Sequence, residues 1–75
     1  MESITMFNHN PDTRYITIIN DCIYESQDLK NQGNLGIIYA IEKLEKAFEN
    51  ADFLSNVEDR NLHKLKIIEL ISELS

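Results

Sequence analysis

The C-terminal stretch "LKIIELISELS", residues 65–75, decides how this chain folds, because it holds more large aliphatic side chains than one helix face can carry. At about 100° per residue, the aliphatic positions of this region fall into two stripes. The stripes are Ile67, Leu70, Ile71 and Leu74 in one, and Leu62, Leu65 and Ile68 in the other. Together they cover about two-thirds of the helix circumference. The sequence therefore predicts that this helix is covered from more than one side.

Two arrangements can cover both stripes. Two other helices of the same chain can clasp the C-terminal helix, or the second stripe can associate with a second copy of the protein. Each fully buried Leu or Ile contributes on the order of 2 kcal/mol, so leaving several exposed is a serious loss for a small domain. Two-fold self-association is the commonest form of oligomer. We therefore predict a homodimer built on all seven aliphatic positions, with the clasped monomer as the alternative.

A first helix is predicted upstream, over about residues 11–32. Asn10 is a suitable cap, Pro11 suits the first helical position, and Asp12 meets the positive end of the helix dipole. An apolar face then recurs at steps of three and four, through Tyr15, Ile19, Cys22, Ser26 and Leu29. The rival interpretation pairs "RYITII", residues 14–19, as a strand with "SITMF", residues 3–7, because these segments are rich in β-branched residues.

The second helix is predicted over about residues 35–53. Its apolar positions alternate in steps of four and three, and they are Ile37, Ile41, Leu44, Phe48 and Ala51. Gly33 suits a left-handed end to the first helix, Asn34 suits the next cap, and Gly36 suggests close approach to another backbone.

The third helix, about 56–74, follows a predicted capping box formed by Ser55 and Glu58. Short connections favour antiparallel neighbours. The predicted fold is all-α, a small antiparallel three-helix bundle in one domain, 1–75, with residues 1–9 as a flexible arm.

The composition of the chain limits which classes of partner it can bind and where in the cell it is expected. The chain has 75 residues and a formal net charge of −6, which disfavours direct nucleic-acid binding and anionic membrane surfaces. No apolar run approaches the length of about 20 residues that a bilayer requires. The first residues lack the basic and apolar regions of a secretory signal. A cytoplasmic location without a membrane partner is expected.

Residues able to do chemistry are few. His9 and His63 are distant in sequence, and no His, Cys and carboxylate spacing matches a metal site. Cys22 lies on the apolar face of the first helix, which is typical of a buried thiol rather than a nucleophile. We expect no catalytic residues, no cofactor and no metal, and therefore no enzymatic activity.

Two surface features remain as candidate partner sites. Acidic residues flank the apolar seam of the second helix at Glu42, Glu45, Glu49 and Asp52, either as a solvated face or as a site for a basic partner. Tyr39 and Phe53 lie on the back of that helix, either covered by other segments or available as aromatic anchors.

The resulting hypothesis is a protein–protein interaction module that acts as a regulator, such as an adaptor, inhibitor or connector, on a larger protein partner. The alternative is a dimeric transcriptional regulator linked to nucleic acid, or a mimic of DNA that uses its acidic row.

Overall fold

The computed structural model describes residues 11–75, which form an all-α protein of three helices with no strand in that range. The helices are α1 (Pro11–Leu29), α2 (Gly33–Ala51) and α3 (Val57–Leu74). The segment 14–19 is therefore helical, and the strand interpretation is wrong. The predicted arm, residues 1–9, and the proposed cap Asn10 lie outside the described residues.

Two of the helices, α1 and α2, end earlier than predicted. The first ends at Leu29 instead of 32, and the second ends at Ala51 instead of 53. At both places the backbone tightens into hydrogen bonds spanning three residues, from Gln32 N–H to the Leu29 carbonyl and from Leu54 N–H to the Ala51 carbonyl. Such tighter turns are common at helix ends.

The connection between α1 and α2 depends on two glycines. Gly33 has a φ of +84°, which is the left-handed conformation that the sequence predicted for it. Gly36 is buried, and a Cβ there would collide with the Leu29 carbonyl oxygen and lie 2.9 Å from the Gln32 Cβ. Close approach to another backbone is therefore confirmed. The predicted cap Asn34 is wrong, because the capping position is Gln32, whose side chain makes no capping hydrogen bond.

The central helix is α2, which packs extensively against α1 and less extensively against α3. Its buried face consists mainly of small residues: Gly36, Ala40, Leu44, Ala47 and Ala51. Small side chains allow the backbone of α1 to approach closely. Three of the predicted core positions of α2, Ile37, Ile41 and Phe48, are only half-buried. The core-facing side of this helix is therefore rotated relative to the prediction.

The hydrophobic core receives residues from all three helices and from one connection. Its buried members are Ile19, Cys22, Leu44, Ala47, Ala51, Leu54 and Ile67. The predicted face of α1 is confirmed, with Ile19, Cys22 and Ser26 buried and Tyr15 and Leu29 half-buried. Leu54 belongs to the α2–α3 connection, so the core extends beyond the helices.

A carboxylate of α1 holds the beginning of α3. Asp12 Oδ1 accepts hydrogen bonds from the Ser55 N–H at 2.8 Å and the Ser55 hydroxyl at 2.8 Å, and Oδ2 accepts from the Asn56 N–H at 3.1 Å. Asn56 is the cap of α3, since its Oδ1 accepts from the Asp59 N–H at 2.9 Å. The predicted capping box is thus wrong by one residue, because the Ser55 hydroxyl is bonded to Asp12.

These hydrogen bonds predict a pH-dependent contribution to stability. The pKa of the Asp12 carboxyl is lowered, mainly by the Ser55 N–H, with smaller help from the Ser55 hydroxyl and the Asn56 N–H and with burial opposing them. A lowered pKa stabilises the fold above the unfolded value of about 3.9, and this stabilisation is lost as the pH falls through the folded value. Asp12→Asn should therefore reduce stability in urea unfolding at about pH 7, and the difference from wild type should be smaller at an acidic pH below about 3.9.

Asp21→Asn is the matched control, because Asp21 is also a carboxylate of α1 but is exposed. It should change the unfolding midpoint little at either pH. A difference between Asp12→Asn and wild type that is the same at both pH values would contradict a role for the charge of Asp12.

Candidate interaction surface

The structure separates the two aliphatic stripes of α3. Ile67 is fully buried, and Leu70, Ile71 and Leu74 are half-buried against the core. The other stripe stays in solvent, with exposed fractions of 65% for Leu62, 61% for Leu65 and 50% for Ile68. The seven residues predicted as one interface therefore divide into a core-facing set and an outer set.

Part of the outer set lines an apolar depression on the surface of α3. Leu62 and Leu65 line it together with His63, Lys66 and Glu69. All five residues come from α3, so the depression is a surface feature of one helix. We call Leu62, Leu65 and Ile68 the outer face of α3. The outer face is aliphatic, and one base, Lys66, and one acid, Glu69, lie close to it.

A second surface depression lies between α2 and α3. Its apolar part is formed by Phe48, Ile68 and Ile71, and its acidic part by Glu45 and Glu49. We call this the α2–α3 groove. Sequence reasoning identified all five residues but assigned them to separate features, because it did not predict which side of α2 meets α3.

The four acids of the predicted partner face are all exposed, but they are not equivalent. Asp52 forms an ion pair with Lys64 of α3, whose ammonium lies 5.0 Å from the centre of the Phe48 ring. Glu42, Glu45 and Glu49 form no ion pair within residues 11–75. Asp52 therefore links the end of α2 to α3, while the carboxylates of the three glutamates lie in solvent.

The two aromatic residues proposed as anchors also differ. Phe53 is 63% exposed as a residue, and its ring stacks on that of Tyr15 of α1, with ring centroids 5.3 Å apart. Tyr39 is exposed, and no stacking partner engages it within residues 11–75. Other exposed apolar side chains were not predicted from the sequence, among them Tyr24, Leu35, Ile38 and Val57. Tyr24, Leu35 and Ile38 lie opposite the buried faces of their helices, which is the signal that would have found them.

The residues considered as possible catalytic or metal-binding groups contact other parts of the fold. Cys22 is buried, and burial raises the pKa of its thiol, which disfavours the reactive thiolate. Nδ1 of His63 lies 2.7 Å from the Asp59 carbonyl oxygen, one turn earlier in α3. Within residues 11–75, no three His, Cys, Asp or Glu side chains are grouped to hold a metal ion. His9 lies outside the described residues.

Comparison with protein-family models, with curated proteins and with solved structures finds no match to this chain. In residues 11–75, moreover, none of the helices combines the length and apolar character needed to cross a bilayer.

Proposed function

We propose that this protein is a small antiparallel three-helix module that forms a homodimer through the outer face of α3 and acts by binding a larger protein, as a regulator without catalytic activity. The observation that carries this proposal is the exposure of Leu62, Leu65 and Ile68 on one helix face. Exposed apolar surface that is bordered by polar residues is typical of protein interaction sites.

The antiparallel arrangement is supported by contacts between helices. Asp12 begins α1 and bonds to Ser55, which follows the end of α2, whereas Glu25 near the end of α1 pairs with Lys43 within α2 at 3.0 Å. On the other side, Asp52 beyond the end of α2 pairs with Lys64 early in α3. These are the contacts expected of neighbouring helices that run in opposite directions.

The outer face of α3 has the self-complementary pattern that a two-fold dimer requires. In such a dimer the same patch meets itself, so residue i of one copy contacts residue j of the other and the reverse. Two antiparallel copies of α3 that cross near residue 67 place Leu65 opposite Ile68 of the second copy. In that register Lys66 is offset from Glu69 of the second copy by two residues, about 3 Å along the helix axis, which the two long side chains can span. Both of these charged residues are exposed and border the apolar depression.

The charged pair gives a direct test of the dimer. Lys66→Glu should weaken self-association on the order of tenfold, because two symmetry-related contacts become repulsive and each is worth roughly 0.5–1 kcal/mol. Glu69→Lys should weaken it similarly. The double exchange Lys66→Glu/Glu69→Lys should restore most of the affinity. The dissociation constant is measured by size exclusion with light scattering across a dilution series.

Lys46→Glu is the control, since Lys46 is an exposed base of α2 and its replacement changes the net charge equally. It should leave the dissociation constant near that of wild type. A wild-type protein that remains monomeric at every concentration would overturn the homodimer. Failure of the double exchange to recover affinity would overturn the proposed pairing of Lys66 with Glu69.

A further inference from the structure

The α2–α3 groove is a second apolar surface, distinct in charge from the outer face of α3. It has a volume of about 510 Å³. Phe48 and Ile71 are half-buried and pack against the core, so the floor of the groove is held in place by the fold. Ile68 is 50% exposed and lies at the border between the groove and the outer face. The groove therefore offers a fixed apolar floor.

Within residues 11–75 no base forms an ion pair with the acidic side of the groove, although Lys46 lies on the same helix, four residues after Glu42 and three before Glu49. Glu45 and Glu49 line it, Glu42 lies one turn away on the same helix, and all three are exposed. Two bases close to α2 are already engaged, Lys43 with Glu25 of α1 and Lys64 with Asp52. A groove with carboxylates along one side favours an occupant that carries positive charge.

Segments of this same protein are poor complements to the negative charge of the groove. A second copy of α3 presents Leu65 with Glu58 and Glu69 on the same helix face, so it would bring acids towards Glu45 and Glu49. Residues 1–10 contain neither Lys nor Arg. A basic segment of a different protein is the better complement.

The exposed row along α2 that ends in the acidic side of the groove is long enough to accommodate a short helix. Ile38 is exposed and precedes Glu45 by seven residues, which places it on the same face of α2. The row from Ile38 to Glu49 is about 16 Å long at 1.5 Å per residue, which is the length of about three helical turns. Amphipathic helices commonly lay their apolar face into grooves between two helices of a partner.

We propose that the α2–α3 groove binds an amphipathic helix of a partner protein. Large aliphatic side chains of that helix pack against Phe48, Ile68 and Ile71, and its Lys or Arg side chains pair with Glu45 and Glu49. This inference rests on the proposed role in protein binding, but it does not depend on the homodimer.

The probe is a synthetic 18-residue peptide that forms an amphipathic helix with Leu on one face and Lys on the other. A second peptide keeps the Leu face and replaces every Lys by Glu. Binding is followed by fluorescence anisotropy of the labelled peptides, at protein concentrations where light scattering finds a monomer. The basic peptide should bind, and the acidic peptide should bind on the order of a hundredfold more weakly or not at all.

Variants locate the binding site. Glu45→Lys/Glu49→Lys should weaken binding of the basic peptide on the order of tenfold, and about 0.5 M salt should remove most of that difference. Asp21→Lys/Asp28→Lys is the matched control, because it makes the same change in net charge on the exposed surface of α1. It should weaken binding much less.

Three outcomes would overturn the inference. They are equal loss of binding in the two double variants, equal affinity of wild type for the two peptides, and no binding of either peptide. A change of self-association in Glu45→Lys/Glu49→Lys, without a change in peptide binding, would assign the groove to a second copy. The dilution series of the wild-type protein tests the homodimer separately, so failure of one proposal does not imply failure of the other.

Discussion

Replacing Ile67 by alanine is expected to lower the free energy of unfolding by about 2–5 kcal/mol, as for other large aliphatic side chains truncated in a core. Ile67 is fully buried and is the only such residue of α3 within the described part of the chain. The truncation removes apolar contacts with the core cluster and leaves a cavity where α3 meets it. Small domains are stable by only a few kcal/mol, so this single change is large enough to unfold much of the protein.

Ile68→Ala is the matched control for this prediction. It removes the same atoms from the next residue of the same helix, but Ile68 is 50% exposed. It should cost no more than about 1 kcal/mol. Urea unfolding followed by circular dichroism measures both variants, at a concentration where the protein is monomeric. Equal losses for the two variants would contradict the orientation of α3 on the core.

Replacing Gly36 by alanine is expected to destabilise the protein by about 1–3 kcal/mol. The direction is informative, because exchanging glycine for alanine within a helix ordinarily stabilises it by about 0.5–1 kcal/mol. Here the added Cβ collides with the Leu29 carbonyl oxygen at the end of α1. A backbone atom cannot move aside as a flexible side chain can, so α1 and α2 must separate. The unfolding midpoint in urea measures the effect.

Asn34→Ala serves as the control for the glycine variant. Asn34 is exposed in the same first turn of α2 and does not cap the helix. Its replacement should change the free energy of unfolding by no more than about 0.5 kcal/mol. An increase in stability for Gly36→Ala would show that the two helices are not packed as closely as described.

The sequence was sufficient to predict the helical class and the division of α3 into two stripes. Both follow from local information, since the angular positions of Leu65 and Ile67 are fixed once the segment is helical. The orientation of α2 was not predictable in the same way. Its apolar pattern gave weight to Ile37 and Ile41, whereas the structure buries Ala40 and Ala47. Small apolar residues contribute little to the hydrophobic periodicity of a sequence. They become core positions only where a second helix packs closely against them.

Some of the candidate surfaces could be predicted from the sequence and others could not. The acidic row and the outer face of α3 follow from spacing within one helix. The α2–α3 groove does not, because Phe48 and Ile71 become neighbours only when two helices are placed side by side. The role of Asp12 was likewise hidden, since its hydrogen bonds reach residues more than 40 positions away. Distant pairings of this kind depend on the tertiary arrangement.

The uneven distribution of buried residues has a consequence for motion. Helices α1 and α2 each contribute several buried positions, whereas α3 contributes Ile67 alone and is also held by Asp12 at its beginning. Proteins open locally where buried apolar contacts are fewest. Helix α3 should therefore detach transiently while α1 and α2 stay paired, and its amide hydrogens should exchange first. Any partner that binds the docked helix opposes this opening, so association and the ordering of α3 are thermodynamically linked.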